Sequence, residues 1–145
     1  MERRLLVNRI QTPDGTILTS KFRHDFVSYI DENGDMYYVD GGTDYQRTSE
    51  NKEPAKNLCL YSDDPFEEIR KYFTRGTFDE EGNRIWKPLC ELSNKHLTNI
   101  ISYNLGLFEE GRISKRQCDE YNELMTKELD YRKEHDIYIE DNFPY

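Results

Sequence analysis

At 145 residues with a formal net charge of −9, the chain has the length of one domain with one modest core. An acidic field of that size repels phosphate and argues against extended contact with duplex nucleic acid, although a local basic patch can still hold a single phosphate. Hydrophobic residues make up only 35%, but eleven Tyr, seven Phe and one Trp supply the buried area that a core needs.

Cys59, Cys90 and Cys118 lie far apart with no CxxC spacing, which reads as three buried free thiols in a reducing compartment. The start "MERRLLVNRI" is charged and short of apolar length, so it does not read as a signal peptide. No apolar run approaches the ~20 residues of a membrane span. The expectation is a cytoplasmic protein with no membrane partner.

In chain order, strands come first. "LLVNRI" (5–10), the turn residues Pro13-Asp14-Gly15 and "TILTS" (16–20) predict a first hairpin. "DFVSYI" and "DMYYVD" flank Asn33-Gly34, a strong short hairpin signal. "QRTSENKEPAKN" reads as an exposed loop, and "LCLY" (58–61) as a further strand. Helices follow. Asp64, Pro65 and Glu67 fit N-cap, N1 and N3 of a helix closed by Gly76, with Phe66, Ile69 and Phe73 on one face. "TFDEEGNRIW" predicts two short strands joined by a turn. Ser93 caps a helix carrying Leu97, Ile100, Ile101 and Leu105, with Gly106 at C′. Ser114 and Gln117 form a capping box opening a helix to about His135, with Cys118, Tyr121, Met125 and Leu129 in its stripe. The order predicts an α+β fold: an N-terminal antiparallel sheet built from hairpins with C-terminal helices packed on it. One domain spans 1–145, mainly β over 1–61 and mainly α over 62–135. The tail, 136–145, is apolar enough to dock on the body or on a partner.

A two-residue turn at Asn33-Gly34 would pair Ile30 with Tyr37 and place Phe26, Ser28, Ile30, Tyr37 and Val39 on the core face. A three-residue turn with a bulge would shift that register. Either way, "KFRHD" (21–25) and "DGGTDY" (40–45) meet at the open end of the hairpin. Gly41 and Gly42 permit close backbone approach. Arg23 and Arg47 can fork onto phosphate or carboxylate. His24 can donate to a phosphate or take a proton. Tyr45 can stack on a base, and Asp25, Asp40 and Asp44 can accept from hydroxyl or amino groups. These nine residues make a nucleotide-sized polar pocket. They also admit a plainer reading, a Gly-Gly bulge with arginines pairing aspartates on a sheet surface.

Sharper chemistry fits less well. "DENGD" lacks the sixth-position Gly and twelfth-position Glu of a calcium loop. His24-Asp25 enters a strand rather than a helix carrying further metal ligands. His96 and His135 fall on predicted helices, and no P-loop, Rossmann glycine pattern or GxSxG elbow occurs. Asp25, Asp40 and Asp44 offer three carboxylates, yet the expectation is a site without metal or cofactor.

"TPDGTILTSKFRHDFVSYIDENGDMYYVDGGTDYQR", "LYSDDPFEEIRKYFTRGTFDEEGN" and "KPLCELSNKHLTNII" together resemble a family of small accessory proteins of tailed bacteriophages. Its pattern is a Ser-Arg/Lys-x-Arg-His-Asp-Tyr run, a Val-Asp-Gly-Gly-x-Asp-Tyr-x-Arg run and a Ser-Asp-Asp-Pro helix start. The matches are Arg23, His24, Asp25, Asp40, Gly41, Gly42, Asp44, Tyr45 and Arg47. Phe26 stands where Tyr is usual, and Phe22 where a second His is common. The resemblance implies a phage protein acting in the cytoplasm of its bacterial host. The expected function is capture of a small nucleotide-type ligand, such as a cyclic nucleotide immune signal, by a non-enzymatic binder completed across a homo-oligomer. Two alternatives stand beside it: an acidic inhibitor of a host protein, and a phosphodiester-processing enzyme using His24.

Overall fold

The computed structural model describes residues 3–42 and 45–141 and has the α+β architecture expected. Ten short strands and three α-helices follow one another as β1 (Leu5–Val7), β2 (Arg9–Gln11), β3 (Ile17–Thr19), β4 (Phe26–Ile30), β5 (Met36–Gly41), β6 (Gln46–Thr48), β7 (Lys56–Asn57), β8 (Leu60–Tyr61), α1 (Phe66–Tyr72), β9 (Thr74–Phe78), β10 (Arg84–Pro88), α2 (Asn94–Glu109) and α3 (Lys115–Glu134). The strands form four small antiparallel sheets: β1–β8, β3–β2–β7, β4–β5–β6 and β9–β10. Among the described residues no helix is long and apolar enough to cross a membrane.

The run Leu5–Ile10 is two strands, not one, and Asn8 is where it changes sheet. Asn8 is fully buried, and its amide nitrogen donates to the carbonyls of Asp40 at 3.0 Å and Gly41 at 3.5 Å. The segment read as a loop after Tyr45 supplies β6 and β7, polar edge strands whose exposed side chains gave no apolar alternation. Only Leu60–Tyr61 of "LCLY" pairs as a strand.

The three tight hairpins share one turn. Thr12, Asp31 and Asp79 each accept from a glycine N–H three residues on, at 2.9, 2.9 and 3.1 Å. Those glycines, Gly15, Gly34 and Gly82, all have φ near +90°. The side chain of the first residue also accepts turn amides, as when Asp31 Oδ1 takes Asn33 N–H at 3.0 Å and Asp35 N–H at 2.9 Å. This is the three-residue loop with a glycine bulge. It shifts β4 by one residue, so Tyr29 pairs with Tyr37 and Ile30 with Met36. Val27 and Tyr29 therefore face the core with Tyr37 and Val39, while Phe26 and Ile30 are 52% and 65% exposed. The two-residue register and its core face are corrected accordingly.

The helices start where expected but differ at their ends. Pro65 is the N-cap of α1, because the Asp64 carboxylate is taken by Tyr61 N–H at 2.7 Å. Helix α1 stops at Tyr72, and Gly76 lies in β9. Helix α2 continues through Gly106. Gly111 ends it at φ +74°, donating to the Phe108 carbonyl while Arg112 donates to that of Leu107, a Schellman arrangement. Ser114 and Gln117 form the capping box of α3. On α3, Tyr121 is exposed, and the buried stripe takes in Asn122, Glu128 and Arg132 alongside Cys118 and Met125. Of the cysteines only Cys118 is buried, and all three are free.

The main core joins Leu6, Val7 and Leu60 to Ile69, Leu89, Leu92, Leu97, Leu124 and Met125. A smaller one lies under β2–β5, around Ile10, Leu18, Tyr37 and Val39. Beside the main core, Glu128 is enclosed by two arginines. Arg70 meets it through two bonds of 2.8 and 2.9 Å, and Arg132 through one of 2.7 Å. Arg132 also donates to Asn94 Oδ1 and to the Leu89 carbonyl. The tail docks on the same point, Ile139 N–H donating to Asn94 Oδ1 and Asn94 N–H to the Ile139 carbonyl. Residues 142–145 lie outside the described residues.

Leu97→Ala should cost about 2–5 kcal/mol in urea unfolding as a core truncation, whereas Ile30→Ala should stay within about 0.5 kcal/mol. Glu128→Ala should cost about 3–5 kcal/mol, because it strands two guanidiniums in a nearly water-free site.

Candidate functional site

The open end of the β4–β5 hairpin gathers most of the residues singled out from the sequence. Gly41 turns the chain with φ +88°, and a Cβ there would lie 2.4 Å from the Tyr45 carbonyl oxygen. Glycine is required at this crossing both for the backbone angle and for the contact. Asp40, buried at the end of β5, accepts from Arg47 Nε at 3.0 Å and from its terminal nitrogen at 2.6 Å. Its other oxygen accepts from the Tyr45 hydroxyl at 3.2 Å. The same hydroxyl lies 3.1 Å from His24 Nδ1. The Arg47 guanidinium, helped by Tyr45, holds the Asp40 carboxyl below its ordinary pKa, and Asp40 in turn raises that of Arg47.

This chain of bonds is the plainer reading in part: one arginine and one aspartate of the cluster neutralise each other. Asp25 is also occupied locally, its carboxylate accepting Lys21 N–H at 2.9 Å and its carbonyl accepting from Ser20 Oγ at 3.0 Å. Asp44 lies outside the described residues. Arg23 and Gly42 point to a different place. They line a cleft of about 320 Å³ with Lys21 and Phe22 on one side and the β9–β10 hairpin on the other.

That hairpin was expected from "TFDEEGNRIW", but its part in a cleft was not. Its register sets Trp86 opposite Gly76 and Arg84 opposite Phe78. Gly76 leaves room for the Arg84 guanidinium, which would lie 2.3 Å from a Cβ at that position. Arg84 sits 5.3 Å from the Phe78 ring centre and 5.6 Å from that of Trp86. Phe22 stacks on Trp86 with centroids 4.3 Å apart, and Thr74 Oγ1 donates to the Lys21 carbonyl at 2.5 Å. The wall thus holds Lys21, Arg23, Arg75 and Arg84 and no carboxylate. Arg75 is half-buried, and burial together with the Arg84 charge pulls its pKa below the ordinary value. The signal available in the sequence was alternation: "TRGTF" and "RIW" place the chain's one Trp and two arginines around a glycine. Among the described residues, no group of three or more His, Cys, Asp or Glu side chains is placed to hold a metal ion.

The depressed pKa of Asp40 means that its ion pair contributes fully above the unfolded carboxylate value of ~3.9 and is lost as pH falls through the lower folded value. Asp40→Asn should therefore flatten the acid limb of a urea-midpoint titration run downward from about pH 5. Compared with family models, curated proteins and solved structures, the chain matches none of them.

Proposed function

We propose that this protein captures a small nucleotide-type anion in the cleft between Lys21–Arg23 and the β9–β10 hairpin, and holds it without transforming it. The observation that carries this reading is the wall of four cations with no carboxylate, edged by the Phe22–Trp86 stack. Cationic side chains recognise phosphate, and aromatic faces take a base of any identity. Arg75 and Arg84 have no carboxylate partner among the described residues, and placing such charges side by side has a cost that a bound anion would offset.

Capture fits the surroundings better than turnover. His24, Tyr45 and Asp40, which could move protons, are bonded to one another, and Arg47 neutralises Asp40. Their place behind Gly41 and Gly42 suits a support for the backbone at the cleft's edge. The cleft is open enough that a second copy of the chain could complete it. As an accessory protein of a tailed phage, acting in the host cytoplasm, the protein would withdraw a nucleotide signal used in defence.

In calorimetric titration with a panel of nucleotides, Lys21→Ala and Arg84→Ala should each weaken binding about ten- to a hundredfold, as loss of one charge-assisted contact. Melting temperatures should stay close to wild type, since both side chains are exposed. Added salt should lower affinity. A folded protein that binds no nucleotide would overturn the reading and turn attention to the acidic surface as an inhibitor of a host protein.

A further inference from the structure

We infer that the ligand is a dinucleotide, two bases bridged through phosphate, with one base on the Phe22–Trp86 stack, the other on Tyr121 and the phosphate at Arg75. This rests on reading the cleft as a nucleotide site and adds the ligand's length and its second contact surface.

A second cavity adjoins the cleft at Arg75. This cavity, of about 600 Å³, lies between the start of β1 and α3. Leu6, Phe73 and Arg75 line both cavities, so the two adjoin as lobes on either side of Arg75. The first lobe alone sits at the low end of the ~300–1,000 Å³ usual for small-ligand sites, and the two together reach toward its upper end.

The lobes differ in how their charges are compensated. In the second, Arg4 is bound to Glu123 at 2.6 Å and Arg3 to Asp63 at 2.9 Å, and Arg116 meets Glu120 at 3.2 Å. At the waist and in the first lobe, Arg75 and Arg84 have no carboxylate partner among the described residues. The anionic part of a ligand therefore belongs at Arg75 and inward. The second lobe is suited to an uncharged, flat group. Tyr121, 47% exposed on α3, lines this lobe together with Leu124 and Met125, and its ring can take a base. Together the lobes hold seven of the chain's twenty Lys and Arg and one of its twenty-nine Asp and Glu.

The test is calorimetry with adenine and guanine series of mononucleotide, linear dinucleotide and cyclic dinucleotide at one ionic strength. At least one dinucleotide should bind about tenfold or more tightly than its mononucleotide, the increment expected of one added stacking contact. Preference for the linear or the cyclic form then names the source. Tyr121→Ala should bring that ratio near one, while Tyr103→Ala, an exposed tyrosine on α2 outside both lobes, should leave it unchanged. Arg75→Gln should weaken every member of the panel. Equal binding of mono- and dinucleotides by the wild type would overturn this inference and leave the proposed capture standing, as would a ratio insensitive to Tyr121→Ala. Absence of binding across both series would overturn the two together.

Discussion

The Glu128 carboxylate, shut away from water between Arg70 and Arg132, is the interaction on which the helical half depends. A buried charge is tolerable only when its partners are close and its lone pairs are used, and here three N–H groups satisfy it. Arg132 carries the connection further, to the Leu89 carbonyl and to Asn94 at the start of α2, where the tail also attaches. One acidic side chain thus fixes α1, α3, the turn before α2 and the tail relative to one another. The β9–β10 hairpin leaves α1 directly and enters that turn, so the wall of the cleft inherits its position from this cluster.

On the other side of the cleft the same logic operates with weaker, wetter pairs. Asn8, buried where the chain changes sheet, holds the carbonyls of Asp40 and Gly41. Asp40 then gathers Tyr45 and Arg47, and Tyr45 gathers His24. The polar residues at the hairpin end are thus largely spent on shaping backbone. Other cations stand one layer away, Lys21 on the loop before β4 and Arg75 and Arg84 on β9–β10. A chain that is strongly acidic overall thus sets seven of its twenty Lys and Arg around two adjoining cavities, with Arg3, Arg4 and Arg116 neutralised in one and Arg75 and Arg84 without a carboxylate partner among the described residues in the other.

Much of this was legible in the sequence because it is locally encoded. Ser93, Ser114 with Gln117, and Pro65 marked the helix starts, since a cap is decided within four residues. The α+β order followed from where Gly-containing turns gave way to apolar helical stripes. The register of β4–β5 was misread because Asn33-Gly34 favours a two-residue turn in isolation, whereas Asp31, two residues earlier, supplies a carboxylate that captures the amides of a longer one. Gly106 and Gly76 looked like helix stops because a glycine's role depends on what lies across from it, and at Gly76 that is Arg84, eight residues on. The cluster around His24 was correctly brought together, but its internal pairing depends on side-chain reach. The cleft depends on Lys21–Arg23 meeting a hairpin more than fifty residues away, a contact to which no local pattern points.

The repeated turn has a consequence for how the chain finds its fold. Thr12, Asp31 and Asp79 each close a loop of a few residues with a side chain and a glycine that suit nothing else, so the entropy of closure is small and the register is set on the spot. The long-range closures, Leu5 against Tyr61 and Arg70 against Glu128, bring together segments that are already hairpins or helical turns. The conformational search is divided into three short searches and a docking step, with contact order concentrated in the last. A sequence poor in aliphatic residues thereby carries its strand register in turn chemistry rather than in apolar pattern alone.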